Sequence, residues 1–272
     1  MHVLRSAIVA FSMFSAVPMP HIMWDEKSMR HALIAFPLVG LLIGLLGWGT
    51  VVLCDQLEVS SLVRALALTA LPLLVTGGIH LDGFCDTWDA LSSHREPGRM
   101  RQILKDPHIG AFGVMHLALL LLATLVLWAE VDVSGLRALG LGAFGLGAVP
   151  LPLICAPVLS RALSGLSVAS FPLAEGDGLA RTFAEKSDRS SVRLGCAAIA
   201  LIAAGILVAS GHGAMVAATA LVFVCYRTQV IKQFGGLSGD LCGWFVQTCE
   251  LWMLVALYVT QVVGAPALGV IA

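Results

Sequence analysis

Long apolar stretches alternate with shorter polar ones along most of the chain. The apolar runs fall at about 31–53, 62–80, 111–129, 138–159, 193–210, 213–232 and 244–263. Each is close to the roughly 20 residues that a helix needs to cross the hydrocarbon core. Inside a bilayer, a helix satisfies every backbone N–H and C=O within its own segment, which separate strands cannot do. The pattern therefore predicts an all-α, polytopic membrane protein with about seven transmembrane helices. Residues 1–272 read as one membrane-embedded catalytic domain. The opening stretch MHVLRSAIVAFSMFSAVPMP carries Arg5 and a short apolar run that closes at Pro18 and Pro20. It is short for a span and has no A-x-A-like cleavage site in place, so an interfacial or re-entrant helix is expected. Segments such as LVGLLIGLLGWG place small residues where membrane helices approach closely. No internal repeat of the kind that many transporters carry is visible.

Composition strengthens this picture. The chain is 58% hydrophobic and 12% charged, with a mean hydropathy of +0.91, whereas soluble domains carry roughly 25% charged residues. The net charge of −1 leaves no basic excess. Aromatic and basic residues do not interleave, so no nucleic-acid partner is expected. The seven cysteines are irregularly spaced and form no CxxC. They read as free thiols rather than zinc ligands.

Charge also sets an orientation. With the N-terminal segment inside and seven spans threaded in turn, all of the 16 Lys and Arg residues except Arg64 and Arg137 fall on the inner side. That bias matches the positive-inside rule. It predicts an inner-membrane protein whose polar segments, 81–110 and 161–192 with the turn GGLSGD, all face the cytoplasm.

Three clusters there can carry chemistry. In TGGIHLDGFCDTWDAL, the aspartates Asp82, Asp86 and Asp89 stand at i, i+4 and i+7, one face of a helix. Anions on one stripe repel unless a cation sits among them, and oxygen ligands suit Mg²⁺. A solvated acidic helix end is the plainer alternative. His80 stands off that stripe. In RMRQILKDPHIGAFG, Arg99, Arg101 and Lys105 supply positive charge ahead of Gly110 and Gly113, which suits phosphate oxygens. Ordinary inside-anchoring charges would look the same. In FGGLSGDLCGWFVQTCE, Asp240 sits in a Gly-rich turn, and Glu250 lies inside an apolar run. A membrane-embedded acid is either functional or paired with a neighbouring arginine such as Arg227 or Arg161. Arg161, at the end of the span LPLICAPVLS, either anchors the interface or faces a phosphate. The segment SVASFPLAEGDGLARTFAEKSDRSS reads as a mobile amphiphilic loop, with Phe171, Leu173 and Phe183 facing the membrane surface or a bulky substrate. Carboxylates, a divalent ion and basic residues together point to phosphate-containing substrates.

These motifs, GGIHLDGFCDTWDAL, ILKDPHIGAFG and GGLSGD with Glu250 beyond, resemble the cobalamin synthase family, the adenosylcobinamide-GDP ribazoletransferases. The likeness extends over nearly the whole chain. It implies Mg²⁺-dependent transfer of the adenosylcobinamide-phosphate moiety of adenosylcobinamide-GDP to α-ribazole or its 5′-phosphate, with release of GMP. It implies Asp82, Asp86, Asp89 and Asp240 as metal ligands. It also implies Asp82, Lys105, Asp106 and His80 in catalysis, and Arg161, Arg99 and Ser238 at the substrate. The implied partners are the corrinoid nucleotide, the ribazole and the lipid bilayer, with a second copy or other cobalamin-pathway enzymes as further candidates. Three features depart from the family pattern: Ser238 in place of threonine, Gln247 in place of an acid, and FSMFSAVPMP without a Thr-Arg pair. Two other readings compete. A CDP-alcohol phosphotransferase also clusters aspartates at a membrane face, but the Ala-Arg expected after Asp82-Gly83 is missing. A cation-coupled transporter would place its acids at mid-membrane rather than at one face.

Overall fold

The computed structural model describes residues 2–133, 150–174 and 178–264. Among them the chain is helical, with one isolated parallel bridge between Leu173 and Leu237. The helices are α1 (His2–Phe14), α2 (Glu26–Met29), α3 (Ala32–Gln56), α4 (Ser61–Thr76), α5 (Ile79–Ser92), α6 (Pro97–Ile103), α7 (Ala111–Glu130), α8 (Leu151–Ser170), α9 (Leu179–Lys186), α10 (Arg189–Ala209), α11 (Gly213–Lys232) and α12 (Gly239–Gly264).

Six of these, α3, α7, α8, α10, α11 and α12, are 20 to 26 residues long and apolar enough to span a bilayer. The bent pair α4 and α5 makes a seventh candidate span. The outer faces remain apolar. Leu45, Leu119, Leu122, Leu201, Leu221 and Val259 are exposed, an arrangement that water would oppose and lipid accommodates. The chain is a multi-pass helical membrane protein. Its first helix has 13 residues, about 20 Å at 1.5 Å per residue, too short to cross. It packs along α3, and Ala16 N–H donates to the Val75 carbonyl at 2.8 Å.

Helix α8 runs through the centre of the bundle between α3, α10 and α12. Gly40 and Gly44 of α3 bring that helix directly against the backbone at Pro157 and Ile154, the small-residue packing that substitutes for a hydrophobic drive inside lipid. Tyr226 of α11 stacks on Phe245 of α12 at 4.5 Å, and its hydroxyl lies 3.2 Å from that of Ser167.

The expected span at 138–159 differs most. Its residues 138–149 lie outside the described residues, but α8 continues to Ser170. Residues 161–170, expected in a polar loop, therefore belong to a buried helix. The described residues of the loop expected beyond them are also more ordered than their composition suggests. They include α9, and Phe171 and Phe183 are both buried rather than turned outward. The linker before α10 is tied down by Asp188. This residue accepts the Ser191 N–H and pairs with Arg30 at 3.0 Å, and those contacts hold its carboxyl at about 2.

Candidate active site

The acidic cluster owes its position to a break in a span. Ser60 caps the start of α4. Helix α4 then stops at Gly77 and Gly78, whose φ values of 64° and 83° lie in the left-handed region that glycine tolerates. The chain resumes as α5, bent by 95° from α4. This turn lays Asp82, Asp86 and Asp89 across the end of the bundle instead of carrying them down into it. Asp82 is exposed, whereas Asp86 and Asp89 are half-buried. His80 is on the other side of α5, buried at 5% exposure, as its spacing predicts.

Helix α12 meets α5 without intervening side chains. A Cβ on Gly83 would lie 2.7 Å from the Asp240 Cα, and one on Gly243 would lie 2.9 Å from the His80 carbonyl oxygen. These two glycines set Asp240, in the first turn of α12, beside the acids of α5. The Asp86 carboxylate feels the charges of Asp82, Asp240, Asp89 and Asp106. Among the described residues, no ion pair reaches Asp82, Asp86 or Asp240. No three His, Cys, Asp or Glu side chains among them converge on one point as they stand. The donor set is nonetheless all oxygen, clustered and uncompensated, which fits a hard divalent cation better than a soft one.

Asp89 has a different task from its neighbours. Its two carboxylate oxygens accept the backbone N–H groups of Gly110 at 2.7 Å and Gly113 at 2.9 Å. A carboxylate is well placed there, at the positive end of α7. Any side chain at Gly110 or Gly113 would overlap it. Trp88 stacks on His116 at 3.9 Å and closes the same contact. Together these bonds hold the 104–110 segment, with Lys105 and Asp106, next to α5.

A basic pocket of about 170 Å³ adjoins the acids. Arg101, Lys105 and Arg181 line it together with Ser238, Gly239 and Asp240, and Arg181 also pairs with Glu185 at 3.2 Å. Its floor is fixed by the pairing of 172–174 with Leu237, in which Leu237 N–H donates to the Pro172 carbonyl at 2.8 Å. Arg101 is anchored by a 2.9 Å bond to the Phe234 carbonyl, and Arg181 by one of 2.9 Å to the Ala174 carbonyl. The Arg181 Nε is buried without a partner. Ser238 caps α12 through the Leu241 N–H at 3.4 Å and lies 3.4 Å from Asp240. The first residues of that helix, Gly239 and Asp240, line the same pocket as the cations, and a helix start beside cations is a usual setting for a phosphate.

Two expected residues lie elsewhere. Arg99 is exposed and bonds Gln102 at 2.8 Å, so Arg101 is the arginine of α6 that faces the pocket. Arg161, expected at the end of a span and aimed at phosphate, is in the middle of α8 and wholly buried. It pairs with Glu250 at 2.6 Å, and Ser160 donates to the same carboxylate oxygen at 2.7 Å. Glu250 thus takes the paired role that its sequence left open. Asp106 is exposed. The backbone N–H of His108 and its ring hold the Asp106 carboxyl below the usual range.

A second cavity, of about 160 Å³, opens behind His80 and Asp82. It shares Leu179, Ala180, Gly239 and Asp240 with the basic pocket. Phe14, Phe36 and Phe183 form much of its wall. The sequence offered no sign that these aromatics converge, because they come from α1, α3 and α9. Arg181 was equally hidden within a segment that read as a loop.

The family model described as cobalamin-5-phosphate synthase matches residues 6–258. An adenosylcobinamide-GDP ribazoletransferase of Lachnoclostridium phytofermentans is 36% identical over 261 residues, which cover 95% of each chain. Proteins of the same name from Geobacillus kaustophilus and Desulfitobacterium hafniense are each 32% identical, over 94% of this chain and 97% of theirs. No solved structure matches the chain. With the family model matched along residues 6–258 and relatives at 32–36% identity over almost the whole chain, this chain belongs to the cobalamin-5-phosphate synthase family.

Proposed function

We propose that this protein transfers the adenosylcobinamide-phosphate moiety of adenosylcobinamide-GDP to α-ribazole or its 5′-phosphate and releases GMP. The coarser statement, a transferase of late cobalamin synthesis, follows from the family. One observation carries the finer reading. Among the described residues Asp82, Asp86 and Asp240 have no ion pair, and Asp240 lines a pocket with Arg101, Lys105 and Arg181. Acids awaiting a divalent ion beside cations awaiting phosphate suit a diphosphate substrate.

In this reaction the 3′-hydroxyl of ribazole attacks the phosphorus attached to cobinamide. The bridging P–O bond to GMP breaks, and GMP carries that oxygen away. Arg101, Lys105 and Arg181 hold the diphosphate, with Ser238 and the start of α12 facing its oxygens. Asp82, Asp86 and Asp240 would hold Mg²⁺, which when bound offsets phosphoryl charge in the transition state. Asp106, on the same segment as Lys105, is the base that takes the hydroxyl proton. Asp89 keeps the Lys105–Asp106 segment in place. The Lys and Arg bias supports a site at the cytoplasmic face of the inner membrane.

The test is direct. Purified protein in detergent, given MgCl₂, adenosylcobinamide-GDP and α-ribazole, is expected to release GMP, and chelation by EDTA should stop the release. A folded sample that releases no GMP would overturn the reading.

A further inference from the structure

We infer that the cavity behind His80 holds the benzimidazole ring of the ribazole acceptor, and that His80 reads that ring's free nitrogen. This rests on the ribazole-transfer reading above. The cavity lies between α1, α3, α5, α8, α9 and α12. Phe14 and Phe36 meet at 4.2 Å, and Phe14 and Phe183 at 5.4 Å, so three rings form one continuous wall. Such a wall favours a flat aromatic guest through offset and edge contacts. Its size is also suitable, since an apolar cavity of about 150 Å³ takes up benzene, and this one is about 160 Å³ with an open mouth.

The polar groups are few: His80, Asp82, Ser164, Asp240 and Cys242. Asp240 lines the basic pocket as well, whereas Asp82 lines this cavity alone. His80 is more than nine-tenths buried, and its ring meets Phe36 edge-on at 5.6 Å. The His80 Nε2 has no hydrogen-bond partner. A buried polar atom left unpaired carries a free-energy cost that a ligand can remove. The bicyclic base of ribazole has two methyl groups, a flat apolar body and one unsubstituted ring nitrogen that accepts a hydrogen bond. Neutral His80 can donate to that nitrogen through Nε2.

The other substrate parts fit poorly. Guanine would leave most of its polar edge unpaired against phenylalanine, at the cost of burying unpaired polar groups. The corrin macrocycle, with its amide side chains, is far larger than the cavity. A benzimidazole seated here has its ribose at the mouth, between Asp82 and Asp240. There the 3′-hydroxyl meets a phosphorus held in the basic pocket.

The test uses the full chain in detergent or nanodiscs. Phe183→Ala is expected to raise KM for α-ribazole about tenfold or more, the scale for losing apolar contact in a pocket. The KM for adenosylcobinamide-GDP should stay within about twofold of its normal value on the same scale. Ser164→Leu, which fills the cavity from α8, should act in the same direction if Phe183→Ala folds poorly. His80→Ala should weaken α-ribazole, and His80→Gln, which keeps a donor, should recover part of the loss. Calorimetric titration of α-ribazole alone into the wild-type protein reads the cavity without turnover. Binding that Phe183→Ala or Ser164→Leu abolishes supports the inference even if GMP release fails. Wild-type turnover with both KM values unmoved in both variants overturns the inference and leaves the transfer reading intact. So does a parallel rise in both KM values, or no binding of α-ribazole at all.

Discussion

Helix α12 carries two acids that the fold treats differently. Asp240 begins the helix beside Asp82 and Asp86, with no ion pair among the described residues. Glu250, about three turns further on, is bonded through one oxygen to both Arg161 and Ser160. Inside the hydrocarbon an unpaired charge is very costly, so Glu250 has its partner built in. At the bundle end the acids can stay uncompensated because water or an ion can reach them. A carboxylate that the protein pairs itself is bound up in structure. A set of carboxylates that it leaves unpaired, at an accessible place, is available to a ligand. The same logic separates the arginines. Arg161 is committed to Glu250, while Arg101 is anchored by a carbonyl and keeps its charge for the pocket; Arg181 is anchored by a carbonyl as well and shares its charge with the half-exposed Glu185 at 3.2 Å.

The strongest way to break this comparison is to neutralise one acid of each kind. Asp82→Asn is expected to lower turnover about ten-thousandfold, about 5.4 kcal/mol in the barrier, as measured by GMP release. Its melting temperature should hold or rise, because one repulsive charge is gone. Glu250→Leu should do the opposite. It strands the Arg161 guanidinium in the bundle, a loss of about 3–5 kcal/mol in stability, read from thermal unfolding in detergent. Turnover per folded molecule should hold. Adding Arg161→Met should restore most of the stability, since an apolar pair of similar volume replaces the ion pair. A Glu250→Leu protein that folds normally but is inactive would put Glu250 with the catalytic acids and end the distinction.

How the two acids are positioned was partly legible in the sequence. The i, i+4, i+7 spacing placed Asp82, Asp86 and Asp89 on one face, and α5 is indeed a helix. The apolar runs matched α3, α7, α10 and α11 closely, because membrane spans are set by local hydropathy. What the sequence could not show was the 95° break, since Gly77 and Gly78 read as permissive without giving a direction. Nor could it show which acid meets which cation. Both Arg161 and Arg227 were candidates for Glu250, and only the packing of α8 against α12 decides between them. Arg161 was misplaced because the span was ended at 159, where the polar run SRALSG begins. In the fold those small polar residues are buried against neighbouring helices, and Ser160, Ser164 and Ser167 are each at most 2% exposed.

The contact between α5 and α12 sharpens the comparison at smaller cost. Gly83→Ala places a methyl group against the Asp240 backbone, and overpacking of that kind costs about 1–3 kcal/mol. Turnover should fall more steeply than stability, because the displaced element carries Asp240. Gly49→Ala serves as a control, since nothing lies within 4 Å of a Cβ there. Equal effects from the two substitutions would show that the glycine contact does not position the acids.

Asp89 gives the finest test, because it belongs to the acidic stripe by spacing and to the structural group by its bonds. In Asp89→Asn one amide oxygen can still accept an N–H. The amide nitrogen then faces the other N–H, so one helix-end bond is lost. That should cost about 1 kcal/mol of stability. Because the same bonds hold the Lys105–Asp106 segment, the KM for adenosylcobinamide-GDP should rise a few-fold, with the Mg²⁺ concentration at half-maximal rate unchanged. Asp86→Asn, by contrast, should shift that Mg²⁺ requirement upward. If Asp89→Asn shifts it as far as Asp86→Asn does, then Asp89 faces the ion as well as α7, and the division between paired and available acids runs through a single carboxylate.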